Sequence, residues 1–260
     1  MPASAIQGRP LWYELMTTDT AAAERFYTKV VGWTTAPFDG AGSPYTMWTR
    51  DGGIPVGGMM ALPDDVKARG VPPHWMLHVG VDRLADAVAQ IEKLGGGTLS
   101  PIIDVPGVGR MRAMKDPQGA AFSIFQPASP PRPEAPPELG DTSWHELYTT
   151  DGAAALSFYE KAFGWKNIDT MDMGEMGKYY LFGRGAGMLG GMVTKTPDMA
   201  QVPNVWLLYF RVPDVHAAAG RVKANGGTVM HGPMEVPGGD WIVQCMDPQG
   251  GMFAVHHKKG

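Results

Sequence analysis

Trp12-Tyr-Glu-Leu-Met-Thr-Thr-Asp19 returns later in the chain as Trp144-His-Glu-Leu-Tyr-Thr-Thr-Asp151. The likeness runs on through Phe26-Tyr27 and Gly32-Trp33, which return as Phe158-Tyr159 and Gly164-Trp165. Over residues 12–33, 14 of 22 positions are identical in the second copy. Gly57-Gly58-Met59 recurs as Gly190-Gly191-Met192, Trp75 as Trp206, and Asp116-Pro-Gln-Gly119 as Asp247-Pro-Gln-Gly250. A match of this length and order makes the chain a tandem duplication.

Between the copies lie Pro127, Pro130, Pro131, Pro133, Pro136 and Pro137. Proline at this density donates no ladder hydrogen bonds and favours extended backbone, so the segment reads as a semi-rigid linker. The expected division is a first domain over 8–127, a linker over 128–140 and a second domain over 141–258.

Each copy divides again. Trp12 to Asp19 reads as a strand, and Ala21 to Val31 as a helix with Ala22, Phe26 and Val30 on one face. Tyr45 to Arg50 and Pro55 to Leu62 read as further strands. The order then repeats. Trp75 to Val81 is strand-like, and Leu84, Val88, Ile91 and Leu94 keep helical spacing until Gly95-Gly96 stops them. Ile102 to Val105, Arg110 to Lys115 and Ala120 to Phe125 complete the set, with Asp116-Pro-Gln-Gly119 as the turn between the last two. The fold class is therefore α+β: four βαβββ modules opening near Trp12, Trp75, Trp144 and Trp206, forming two cupped, mixed β-sheet domains. The four tryptophans read either as strand-end core packing or as contacts to a ligand.

Composition narrows the partners. The chain has 260 residues, 44% hydrophobic and 18% charged, with a formal net charge of −4. That balance suits a folded globular protein and not a disordered one. Beyond Lys258-Lys259 there is no basic run, so the electrostatic footprint of a nucleic-acid binder is missing. No stretch approaches the roughly eighteen consecutive apolar residues of a membrane span. Met1 to Pro10 has no apolar core of signal-peptide length, and Cys245 is the only cysteine, so a reducing cytoplasm is the expected location. Internal duplication is compatible with a monomer that is its own pseudo-dimer, or with a homodimer.

Paired βαβββ modules with Phe-Tyr-x-x-x-x-Gly-Trp after the first helix and Asp-Pro-x-Gly near the end resemble the vicinal oxygen chelate superfamily, which holds glyoxalases, bleomycin-resistance proteins and extradiol dioxygenases. The resemblance covers nearly the whole chain and is greatest to tandem glyoxalase-like proteins with Trp-x-Glu-Leu opening both copies. It implies a cup that holds a small organic molecule. In family enzymes a divalent metal at the base of the cup binds two neighbouring substrate oxygens as a Lewis acid. The family's ligand positions fall here on Trp12, Gly58, Met76 and Ser123 in copy one, and on Trp144, Gly191, Leu207 and Ala254 in copy two. Indole, thioether and aliphatic side chains are poor ligands for a hard divalent ion. The expectation is a protein without the family metal or another cofactor, serving binding, detoxification or resistance. The alternative is a lyase or extradiol-type dioxygenase with displaced ligands.

Alternation along strands suggests what replaces the metal. Glu14 shares a face with Trp12, Glu146 with Trp144, His78 with Met76, Tyr209 with Leu207, and His256 with Ala254. Three readings of Glu14 and Glu146 stay open: general bases with pKa raised by burial, members of a displaced metal site with His78 or His256, or structural acceptors of hydrogen bonds. Gly57-Gly58 and Gly190-Gly191 read as room for a ligand or a neighbouring backbone, or as bulges. Pro106 to Arg110 and Pro237 to Asp240 read as flexible rims, and Met171, Met173 and Met176 as a polar loop.

Overall fold

Asp19 and Asp151 set where each copy turns from strand into helix. Each caps its helix, the Asp19 carboxylate accepting from the backbone of Ala22 at 2.9 Å and Asp151 from that of Ala154 at 3.0 Å. The computed structural model describes residues 4–259. Module one is β1 (Pro10–Thr17), α1 (Thr20–Val30), β2 (Thr34–Pro37), β3 (Thr46–Arg50) and β4 (Ile54–Ala61). The short α2 (Asp64–Ala68) leads to module two: β5 (His74–Gly80), α3 (Leu84–Lys93), β6 (Gly97–Thr98), β7 (Ile103–Val105), β8 (Gly109–Lys115) and β9 (Ala121–Pro127). Module three is β10 (Thr142–Thr149), α4 (Gly152–Phe163), β11 (Lys166–Asp172), β12 (Lys178–Arg184) and β13 (Gly187–Thr194). Module four is β14 (Val205–Arg211), α5 (Val215–Ala224), β15 (Thr228–Glu235), β16 (Trp241–Met246) and β17 (Met252–His257).

The class is α+β, with mixed sheets of nine and eight strands. Within each module the first strand runs parallel to the last, as β1 does to β4 and β10 to β13, while the hairpins between are antiparallel. The ninth strand arises because copy one splits into β6 and β7 what copy two makes as the continuous β15; Pro101 lies in the gap. β2 and β11 carry no apolar alternation, so periodicity passes over them. β11 is almost wholly exposed and pairs with β12, and Met171 belongs to it. Only Met173 and Met176 lie in the connection that the sequence assigns to a loop, which corrects the placement of Met171. Among the described residues no helix is long and apolar enough to cross a membrane.

Contacts gather the modules into two compact units, and neither unit is one copy. One holds the N-terminal segment to Leu11, Leu77–Glu134 and His145–Trp206, which is essentially modules two and three. The other holds Trp12–Met76, Ala135–Trp144 and Leu207–Gly260, which is modules one and four.

In the unit of modules one and four, Tyr27, Trp33, Trp48, Trp75, Phe210 and Phe253 form a buried aromatic core. Tyr27 donates to Asp247 Oδ2 at 2.9 Å and accepts from Trp75 Nε1 at 2.9 Å. The other carboxylate oxygen of Asp247 closes its own turn, accepting from the backbones of Gln249 and Gly251 at 2.9 and 2.8 Å. The unit of modules two and three repeats this arrangement. Tyr159 donates to Asp116 at 3.2 Å and accepts from Trp206 at 3.1 Å, while Asp116 closes its turn on Gln118 and Ala120 at 2.9 Å each. Burial holds both aspartates above the usual carboxylate range, and the hydrogen bonds draw them back down. The aspartate of the Asp-Pro-Gln-Gly turn therefore does two tasks, one local and one that joins modules from different copies.

The linker is tied down inside each unit by carboxylates. Glu134 meets Arg184 at 2.6 Å and Arg9 at 3.5 Å, in a cavity of about 650 Å³ that Arg132 also lines. In the other unit Glu138 and Asp141 meet Arg50 at 2.6 and 2.9 Å.

Candidate functional site

Glu14 sits in β1 opposite Gly58 of β4, and Glu146 in β10 opposite Gly191 of β13. Each glutamate is only 7% exposed. Each double glycine answers a specific crowding. A Cβ on Gly57 would lie 2.6 Å from the Tyr13 carbonyl oxygen, and on Gly190 1.8 Å from that of His145, so the first glycine admits the neighbouring backbone. A Cβ on Gly58 would lie 2.1 Å from the Tyr45 hydroxyl, and on Gly191 2.1 Å from the Tyr179 ring, so the second admits a phenol. Register also shifts on the adjoining strand, between Trp48 and Thr49 and between Phe182 and Gly183. Close backbone approach and a bulge thus occur together.

The admitted phenols meet the glutamates. Tyr179 donates to Glu146 Oε1 at 2.7 Å. Tyr45 hydrogen-bonds Glu14 and accepts from Trp12 Nε1 at 2.8 Å. Trp12, Tyr45 and Glu14 therefore form a chain in which an indole N–H polarises a phenol that donates to a carboxylate. Burial raises the Glu14 carboxyl to about 7, and the Tyr45 hydrogen bond opposes this. Burial and the charge of Glu14 push Tyr45 above its ordinary range, so it remains a donor. A carboxyl poised near neutrality can hold or release a proton at working pH.

The remaining candidates fall in several places. His78 pairs in register with Ser123, and burial pushes its imidazole down to about 4, so it is neutral at pH 7. Ser123 donates to the Arg112 carbonyl at 3.3 Å. Met76 and Leu207 are buried. Tyr209 accepts from Gln244 Nε2 at 2.8 Å and stands beside Ala254 in register. Trp144 belongs to the unit of modules one and four, whereas Glu146 belongs to the other. His256 bonds Ser143 at 2.7 Å and Asp240 at 2.9 Å. Sequence reading missed Tyr45 and Tyr179, although Tyr45-Thr-Met-Trp48 and Tyr179-Tyr-Leu-Phe182 lie at the start of the equivalent strands, Tyr45 just before β3 and Tyr179 second in β12. It also missed Ser143 and Asp240, which pattern within one copy does not reveal.

The eight family ligand positions do not fit a divalent metal. At Gly58 and Gly191, near which the resemblance places the family's glutamates, phenol rings take the space a side chain would need. Trp12 and Trp144 offer only N–H donors. Among the described residues no group of three or more His, Cys, Asp or Glu is arranged to hold a metal ion.

Comparison with known proteins agrees with this architecture. Residues 142–255 match the model of the glyoxalase/bleomycin resistance protein/dioxygenase superfamily, and 13–125 that of a glyoxalase-like domain. The chain is 34% identical to the provisionally named glyoxylase CFP32 of Mycobacterium bovis, over 96% of this chain and 94% of that protein. It is 29% identical to the anthracycline biosynthesis protein DnrV of Streptomyces peucetius, over 95% and 92%. Among solved structures, the 2,3-dioxygenase LapB of Pseudomonas sp. KL28 superposes with a TM-score of 0.67 at 13% identity, covering 99% of this chain and 94% of that one.

Proposed function

The chain belongs to the glyoxalase/bleomycin resistance protein/dioxygenase superfamily, and from that premise we propose that it binds a small, partly aromatic organic molecule without the family metal. The observation that carries this reading is the Trp12–Tyr45–Glu14 chain, a buried carboxyl near neutrality where the family's metal-ligand positions are filled by indole and glycine. Glu14 holds or accepts a proton on the bound molecule, Tyr45 fixes the carboxyl, and Glu146 with Tyr179 offers the corresponding pair in copy two. The likeness to a protein named for anthracycline biosynthesis supports a planar aromatic ligand. The setting is cytoplasmic, the role detoxification or resistance, and the partner a small molecule rather than nucleic acid or membrane.

The test is calorimetric titration of an anthracycline aglycone into the full chain, with and without a strong chelator. Binding should survive the chelator, and Glu14→Gln should weaken it about tenfold, the worth of roughly one charge-assisted hydrogen bond. Stoichiometric zinc, nickel or iron in protein purified without added metal, or binding that vanishes with chelator, overturns the reading.

A further inference from the structure

His256 lies between two oxygen atoms. Its Nε2 is 2.9 Å from Asp240 Oδ2, and its Nδ1 is 2.7 Å from Ser143 Oγ. All three residues belong to the unit of modules one and four. An ionised carboxylate only accepts, so Nε2 must carry the proton that Asp240 receives. Nδ1 is then the bare nitrogen, and it takes the hydrogen bond from the Ser143 hydroxyl. The Ser143 hydroxyl has one other acceptor in reach, the Tyr209 carbonyl, at the longer distance of 3.3 Å. Asp240 is fixed in turn by the Lys259 backbone N–H, which donates to its second oxygen at 2.9 Å. Nucleophile, base and orienting carboxylate thus stand in the order, and the protonation state, that serine activation needs.

We propose that Ser143, His256 and Asp240 form an acyl-transfer centre that accepts small carboxylic esters, independent of the Glu14 site. The residues are accessible enough for this. The side chains of His256 and Asp240 are 13% and 29% exposed, and Ser143 is half-buried. Arg211 stands opposite His256 in register, its guanidinium donates to the Pro137 carbonyl, and its charge disfavours a protonated His256. Burial lowers His256 against the pull of Asp240, which keeps the imidazole neutral and available as a base. Copy one has no such centre. Its equivalent of Ser143 is Leu11 and its equivalent of His256 is Phe125.

The reaction balances with the ester and water alone. Ser143 Oγ adds to the carbonyl carbon as its proton passes to His256 Nδ1. The tetrahedral oxyanion collapses, the ester C–O bond breaks, and the leaving alkoxide takes the proton from Nδ1. Water, deprotonated by the same nitrogen, then cleaves the acyl-serine and restores the hydroxyl.

The experiment treats the full chain with p-nitrophenyl acetate, follows p-nitrophenolate release, and maps the acetyl group by peptide mass spectrometry. The expected result is a rapid burst with acetate on Ser143 in the wild-type protein, a readout that needs no variant. His256→Phe, the residue copy one carries, should slow acylation by roughly a hundredfold or more. Asp240→Asn should slow it too, because its amide can donate to Nε2 and move the imidazole proton onto Nδ1. A wild-type protein with no acetyl on Ser143, or Ser143→Ala and His256→Phe chains that release p-nitrophenolate at the wild-type rate, overturns the proposal. Either failure leaves the ligand titration at Glu14 untouched.

Discussion

The two copies share a scaffold and a buried glutamate–phenol pair, and part company around His256. Both cap the first helix with aspartate, both thread a phenol past a glycine onto a glutamate, and both lock a Trp–Tyr–Asp chain into a core. Where copy two has Ser143, Arg211 and His256, copy one has Leu11, Gly80 and Phe125. There a Cβ on Gly80 would lie 2.6 Å from Leu11, so packing occupies the place of the polar chain. One sheet position can be filled by apolar volume or by a hydrogen-bonded relay with the fold unchanged. Identity between the copies therefore covers the scaffold and the glutamate–phenol pairs, and the difference between them marks the surroundings of His256.

The largest test of the shared part is removal of the equivalent core tryptophans. Trp33 is 4% exposed and Trp165 0%, and each donates to a backbone carbonyl, of Gly140 and Gly8 respectively. Truncating either to alanine should cost about 3–5 kcal/mol, measured by urea unfolding. Costs that differ by more than a factor of two between copies would break the equivalence.

A smaller effect, at Glu14, concerns pH. The folded carboxyl of Glu14 titrates near 7 instead of 4.5, so the folded state holds a proton that the unfolded state has lost. Between these values stability falls as pH rises, by up to about 3 kcal/mol for a shift of this size. Glu14→Gln should therefore match wild type near pH 4 and exceed it in stability at pH 8. A stability difference independent of pH would refute the assignment. Both proteins should also weaken on acidification below about 6.5, because His78 and His145 titrate near 4 when folded and the unfolded chain protonates first. That contribution cancels in the comparison.

The smallest effect belongs to the phenols. Tyr45→Phe and Tyr179→Phe each remove a donor to a buried glutamate, for an expected loss of about 1–3 kcal/mol at pH 8. The change at Tyr45 also takes the acceptor from Trp12. Tyr45→Phe should accordingly be the more damaging of the two, and the reverse order in thermal melts would show that the indole contributes nothing.

Much of the fold was legible because repetition marks it. Trp12 to Asp19 and its copy fix a strand and a helix start, and Leu84, Val88 and Ile91 fix a helix. β2 and β11 escaped because an edge strand facing water needs no apolar alternation. The family signature was legible as a string, but its physical reason was not. The pairing of Tyr27 with Asp247 spans 220 positions, and no local pattern announces a bond of that reach. Glu14 and Glu146 were found by alternation. Tyr45 and Tyr179 were passed over because the glycines read as room for a ligand or a neighbouring backbone, or as bulges, when Gly58 and Gly191 are each one half of a fitted pair with an aromatic ring. Ser143 escaped because it sits beside the repeat's first tryptophan without a counterpart in copy one.

The Tyr27–Asp247 and Tyr159–Asp116 bonds bear on how the duplication can be taken apart. A fragment ending in the proline linker would keep Tyr27 without its carboxylate and Asp116 without its phenol. Each half would expose an aromatic face and carry a buried-type aspartate into water. Two such halves made as separate chains should recover the native assembly only by complementation, as the subunits of an obligate heterodimer do. In this light the proline segment is a tether that supplies each half with its partner at high effective concentration. Gene fission within the linker would be tolerated only where both pieces are made together.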